Sequence, residues 1–271
     1  MIRTTGREKI INRAMQAELL EQRISENRAS QELDLISWIF ERVHLAESDR
    51  VLELCCGTGS QTLPMLKMLG AGGTLHALDI SQEALDILVK RAADFRQKLV
   101  TSQADLDDFS SVLERSELKR KQFDLIFCAY GLYYSSNPNR ALDEIFTWLK
   151  PSGRIVVVGP FGPNNGLLFD LVRASGVVIP DPVVFSSELF MNRTVVPWAA
   201  VSFHTTQIST MVNRVRWQSP GQVLNYWQNS TFYSAEHRLE FEARLSQHFA
   251  RYTEFVNEKW VMMVEMADPR S

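Results

Sequence analysis

The chain has 271 residues, of which 45% are hydrophobic, and a formal net charge of −3. That length suits one large α/β domain or a core with an inserted cap, and so much apolar material excludes disorder as the main state. The mildly negative charge argues against a nucleic-acid partner, whose phosphates ask for a basic footprint. The three cysteines, Cys55, Cys56 and Cys128, are odd in number and two are adjacent, so reduced thiols in the cytoplasm are expected rather than a disulfide framework. No apolar run reaches the length of a membrane span, and Met1 to Glu8 open polar without a signal-peptide core, so no membrane partner is expected.

Residues 9–43 read as helix, with Ile36, Ile39, Phe40 and Val43 at helical spacing behind a polar stretch, Glu21 to Arg28, that reads as a lead-in or lid. The pattern then alternates. Val51–Leu54 is a short apolar strand and residues 60–69 a helix. Thr74–Leu78 is a second strand, and Ser81 caps a helix running from Gln82 to about Leu99. A third strand is expected at Val100–Ala104 and a fourth, almost wholly apolar, at Phe123–Ala129. A helix over Asn139–Leu149 stops at Pro151-Ser-Gly153, and Ile155–Val158 is the fifth strand. Strands alternating with helices imply right-handed βαβ units and a parallel sheet. After Gly159 come a Pro/Gly/Asn loop and an aromatic-rich stretch. Two late strands are expected there, within Val201–Trp217 and at Trp260–Met266, the last as an edge strand.

The central motif is Val51-Leu-Glu-Leu-Cys-Cys-Gly-Thr-Gly-Ser60. A strand ends in a tight turn, whose Gly57 and Gly59 permit positive φ and close ligand approach, and a helix begins with its free N–H groups. Glu53 would repel a pyrophosphate and suit a cationic or zwitterionic ligand. Asp79, at the end of the second strand, can accept both hydroxyls of a ribose. Asp105, after the third strand, can accept from an adenine amino group.

With these residues in place the chain resembles the class I S-adenosylmethionine (SAM)-dependent methyltransferases of the kind that modify small molecules. Glu53-Leu-Cys-Cys-Gly-Thr-Gly59 matches the family's first motif, with Cys55 standing where its first glycine usually lies. Phe123-Asp-Leu-Ile-Phe-Cys-Ala129 and Leu149-Lys-Pro-Ser-Gly-Arg-Ile-Val-Val157 resemble its fourth- and fifth-strand motifs. The resemblance covers about residues 35–160. It implies an α/β, Rossmann-like, doubly wound and mostly parallel seven-stranded sheet, with helices on both faces and a helical, aromatic cap. It also implies SAM as cofactor, with S-adenosylhomocysteine (SAH) as product, held by Glu53, Cys55, Gly57, Gly59, Asp79, Ile80, Asp105, Leu106, Ala129 and Tyr130. The expected organisation is a lid or lead-in at 1–43, the SAM-binding core at 44–160, a substrate-binding cap at 161–257 and the closing strand at 258–271.

Methyl transfer from a sulfonium is an in-line displacement, so alignment does most of the work and a base is needed only if the acceptor must lose a proton. Tyr130, Tyr133 and Tyr134 follow the fourth strand, at the sheet end where ligands of open α/β folds bind. Tyr130, Tyr134 and His204 are the candidate catalytic groups, with His237 weighed beside His204 as a candidate base and His76 ranked as structural. Arg23 and Arg28 are candidates to reach the cofactor's carboxylate. The run Asp105, Asp107, Asp108 reads as one cofactor contact followed by solvated loop charge, and no metal is expected. Phe161, Phe185, Phe190, Trp198, Phe203, Trp217, Tyr226, Trp227, Phe232 and Tyr233 suggest an apolar or aromatic acceptor, at least half of them being the segment's own core. Two rivals stand beside this reading. One is a catalytically inactive methyltransferase-like scaffold. The other is an NAD(P)-dependent oxidoreductase, which would want a third glycine where Thr62 stands.

Overall fold

The computed structural model describes residues 10–95 and 98–270. Helix α1 is Ala17–Ser30 and α2 Leu35–Phe40. The alternating part runs β1 Arg50–Leu54, α3 Thr62–Met68, β2 Thr74–Asp79, α4 Gln82–Arg91, β3 Leu99–Gln103, α5 Phe109–Arg115, β4 Phe123–Ala129, α6 Pro138–Trp148 and β5 Leu149–Pro160. Then follow α7 Gly166–Ala174, α8 Asp181–Val184, α9 Val196–Ser202, β6 Phe203–Trp217, α10 Pro220–Gln228, α11 Arg238–Phe249 and β7 Phe255–Pro269. The seven strands form one mostly parallel sheet in the order β3-β2-β1-β4-β5-β7-β6. The pairs β1–β2, β1–β4, β2–β3 and β4–β5 are parallel.

The order reverses at β1, whose two neighbours, β2 and β4, run away from it in opposite directions through the sheet. That is the switch point where ligands of such sheets bind, beyond the carboxyl ends of the strands. Val51, Leu52 and Leu54 of β1 are buried, as are Leu125, Ile126, Phe127 and Cys128 of β4, so both faces of the sheet centre are covered. Each such aliphatic side chain removed from water contributes roughly 1.5–3 kcal/mol.

Several boundaries differ from the sequence expectation. The expected helix over 9–43 is broken into residues 10–14, α1 and α2, residue 9 lying outside the described residues. Helix α4 stops at Arg91, and a 3-10 turn, Ala93–Phe95, leads toward β3; positions 96 and 97 of the expected longer helix lie outside the described residues. Strand β5 starts at Leu149, before Pro151, because Phe123 pairs with Leu149 and Leu125 with Arg154 around an irregularity in the ladder. The last strand is not an edge strand. β7 lies between β5 and β6, with Val261, Met262, Met263, Val264 and Met266 all buried, while β6 forms the edge and exposes His204, Thr205, Gln207 and Ile208. A strand apolar on both faces belongs inside a sheet.

The chain divides into two compact units. The first comprises Met1–Leu35, Pro160–Leu189 and Thr210–Val261, and the second Ile36–Gly159, Phe190–Ser209 and Met262–Ser271. In the first, α10 packs on α1 and α11, and α11 also on α7. Its core is aromatic: the Trp227 ring lies 4.2 Å from Phe241 and 4.9 Å from Tyr233, and Phe169 stands edge-on to Phe232. Many of the aromatics that pointed to an acceptor pocket are core. Phe190, Phe203, Trp217 and Trp227 are fully buried. Among the described residues no helix is long and apolar enough to cross a membrane.

Candidate cofactor site

The second unit holds the glycine turn. β1 ends at Leu54, and Cys55 (φ 57°), Gly57 (φ 53°) and Gly59 (φ 91°) all adopt left-handed backbone before α3 begins. At Gly59 a side chain is excluded twice, by φ and by space, since a Cβ would lie 2.4 Å from Leu88 Cδ1 of α4. The turn is braced from β2. Cys56 N–H donates to the Leu78 carbonyl at 3.0 Å, and Gly57 N–H donates to Asp79 Oδ2 at 2.8 Å. The other oxygen, Asp79 Oδ1, accepts from Ser81 N–H at 2.9 Å. Burial raises the Asp79 carboxyl above its usual range, against those backbone donors.

Glu53 is 2% exposed and accepts from Thr62 Oγ1 at 2.6 Å. Burial, with Asp79 adding to it, pushes its carboxyl up to about 8, against the Thr62 hydrogen bond. Thr62, fully buried, therefore occupies the place a dinucleotide site would give to its third glycine and spends its hydroxyl on Glu53. The nicotinamide alternative is not favoured.

Cys55 carries a side chain in the left-handed region, a cost of about 1–2 kcal/mol. The space for it comes from the loop after β4. A Cβ on Gly131 would lie 2.3 Å from Cys55 Cβ and 2.5 Å from its Sγ. The hydrogen bond with Cys128, then burial, holds the Cys55 thiol well above its ordinary value, so it is neutral. Sequence reasoning saw the departure at Cys55 but not its complement at Gly131.

Asp105 is exposed just after β3 and accepts from Asp107 N–H at 2.8 Å, while Leu106 beside it is buried. Ile80 follows β2, and its carbonyl accepts from Gln103 Nε2 at 3.0 Å. Asp107 is more than solvated loop charge. It accepts from the Ser135 hydroxyl and from Ser136 N–H at 2.9 Å, tying the loop after β3 to the loop after β4. Nothing in the local sequence signals this contact, which joins positions far apart along the chain.

Ala129 ends β4, and Tyr130 adopts φ 58°, with its N–H donating to the Val158 carbonyl at 2.8 Å. A bulky residue held left-handed at a strand end is an outlier of the kind that clusters at functional sites. The Tyr133 and Tyr134 rings meet at 4.7 Å, and Tyr133 also stands edge-on to Phe190. His204 is exposed on edge strand β6, and β5 and β7 separate its strand from β4. His76 lies edge-on to Phe123, and burial followed by Arg50 lowers its imidazole to about 4. His237 Nδ1 pairs with the Ser234 hydroxyl at 2.8 Å in the first unit, where Arg23 also lies, its charge felt by Tyr226 and Lys259. Arg28 ends α1 in the same unit.

The donor set fits a zwitterionic nucleoside ligand: a turn free of bulk, a carboxylate at the end of β2, an acid after β3, and a buried acid in β1 that burial holds in its neutral form. Residues 51–153 match the family model described as a methyltransferase domain. By that match, this segment is similar to a methyltransferase domain. Demethylmenaquinone methyltransferase of Lactobacillus johnsonii is 28% identical to the chain over 131 residues, covering 48% of the chain and 51% of that protein. The enzyme of the same name from Lactiplantibacillus plantarum is 32% identical over 127 residues, covering 47% and 52%. The chain thus spans about half the length of these relatives, and the match lies in the methyltransferase domain. The crystal structure of the YcgJ protein from Bacillus subtilis superposes with a TM-score of 0.60 at 13% identity, covering 87% of the chain and 98% of that structure, which shows a shared fold.

Proposed function

We propose that the chain is a SAM-dependent methyltransferase acting on a small aromatic or quinol-type acceptor. The observation that carries this is the Asp79 carboxylate, fixed by Gly57 N–H and Ser81 N–H at the switch point of the sheet, with Glu53 buried behind the turn. In this reading Asp79 takes the ribose hydroxyls, Asp105 with Leu106 and Ile80 holds the adenine, and the turn from Cys55 to Gly59 lies against the amino-acid part. Glu53 supplies the negative charge that the ligand's ammonium needs, losing its proton when that cation arrives. Ala129 and Tyr130 complete the wall at the end of β4. The ligand brings a methyl group already activated by a positive sulfur, so the protein's task is alignment and exclusion of water. We assign that task to Tyr130 and Tyr134, which follow β4 directly, rather than to His204, whose strand β6 lies beyond β5 and β7.

The quinol-type acceptor is carried over from the relatives' names, and the aromatic composition of the second half of the chain agrees with it. Incubation with methyl-labelled SAM and a panel of reduced naphthoquinones and simple phenols tests the reading. Label recovered in an organic product, and lost in Asp79→Ala, is the expected result. Label recovered in no acceptor, with SAH bound all the same, would favour the inactive scaffold.

A further inference from the structure

In the first unit a polar cluster is buried among aromatics, and the glycine-turn chemistry makes no use of it. Lys259 of β7 donates to the Tyr226 hydroxyl oxygen at 2.6 Å and to Asn165 Oδ1 at 2.5 Å, and its ammonium lies 4.1 Å from the centre of the Tyr226 ring. Asn257, fully buried, donates to the same Asn165 oxygen at 2.9 Å. Asn165 is held left-handed (φ 60°), with its N–H donating to the Glu258 carbonyl; its side chain does not cap α7. From α1, Asn27 lies beside Tyr226 and helps lower its phenol. Asn27 Oδ1 has no partner.

Lys259 thus donates into the phenol oxygen. Among the described residues nothing accepts the Tyr226 proton. An ammonium has three hydrogens, and two are spent. Two further buried groups, Asn257 Oδ1 and Trp217 Nε1, lack any partner, and the Trp217 ring lies 5.0 Å from that of Tyr226. Buried polar groups are almost always satisfied, and unpaired ones ask for an explanation. Burial raises the Tyr226 phenol, but Lys259, Arg23 and Asn27 outweigh it and leave it below its ordinary value. The cluster thus holds one cation, Lys259, with a hydrogen to spare, beside unpartnered polar atoms and aromatic rings, although burial lowers the ammonium below its ordinary value.

We propose that Tyr226, Lys259 and Asn257 form a binding site, inside the first unit, for the ionised hydroxyl of a small phenol or enol. The third Lys259 hydrogen and the Tyr226 hydroxyl donate to the anionic oxygen, Trp217 offers a further donor, and Asn257 Oδ1 accepts from a second polar hydrogen of the ligand. Asn165, in its strained conformation, orients both Lys259 and Asn257. Ionised acceptors of this class are what a methyl cation donor consumes, so the proposed methyl transfer supplies a use for the ligand; the site itself does not depend on that reading.

The test is a titration of the full chain with 4-nitrophenol, whose anion is coloured, at a pH where the free probe is mostly neutral. SAH is titrated into the same preparation. The wild type is expected to bind the probe as its anion. Lys259→Met is expected to weaken binding at least about tenfold and to leave bound probe uncoloured, with SAH affinity unchanged. Tyr226→Phe, which keeps the ring and the cation, is expected to weaken binding severalfold and serves alone if Lys259→Met does not fold. Failure of the wild type to bind the probe, or equal affinity in the variants, would overturn the proposal. If the probe responds as expected while SAH does not bind, the site stands and the methyltransferase reading falls.

Discussion

Glu53 holds its proton at neutral pH because burial denies its carboxylate water, and this has a consequence for stability. Its folded value, about 8, lies above the ordinary 4.5. Between those limits the folded chain keeps a proton that the unfolded chain has lost, so its contribution to stability falls as pH rises through the window and levels off above about 8. His76, lowered to about 4, acts in the opposite sense but is silent above about 6.5. Urea unfolding of the ligand-free chain between pH 6.5 and 8 should therefore show a loss of about 2 kcal/mol that Glu53→Gln largely removes. Equal slopes in the two proteins would show that Glu53 is ionised throughout. At this scale the sequence was legible in the placement of the turn and its acids: Gly57 and Gly59 are left-handed after β1, with Glu53 in β1 and Asp79 ending β2. It was not legible at Thr62 and Asp107, whose roles depend on a partner brought near by folding.

Among elements, the turn after β1 and the loop after β4 share one small volume. Cys55 fills it from one side, and Gly131 leaves it open from the other. Gly131 has φ −127°, which any residue adopts, so a substitution there is resisted by space alone. Gly131→Ala should destabilise the chain by about 1–3 kcal/mol through overpacking. In the Cys55→Gly background most of that cost should vanish, because of the three nearest atoms only Cys128 Sγ, at 3.2 Å, then remains. A double-mutant cycle by urea unfolding reads the coupling; additive effects would refute the shared volume. Strands β1 and β4 were legible because each is a short apolar run between helical patterns. The extent of β6 and β7 was not, since polar and apolar residues mix along them in a way that fits several lengths. The interior place of β7 follows from pairing across the sheet, which no local pattern records.

For the whole molecule, the readable part and the matched part coincide: motifs at 51–157 and a family match at 51–153. The first unit was harder because it is assembled from three separate stretches of chain, so its contacts, such as Asn165 with Asn257 and Lys259, join residues distant in sequence. The central claim is that the glycine turn and Asp79 hold the cofactor. Calorimetric titration of the wild type and of Asp79→Ala with SAH tests it most directly. Saturable binding by the wild type, weakened at least about tenfold in the variant while the variant remains folded, is the predicted result. Equal affinity in the two proteins, or no binding by a folded wild type, would contradict it.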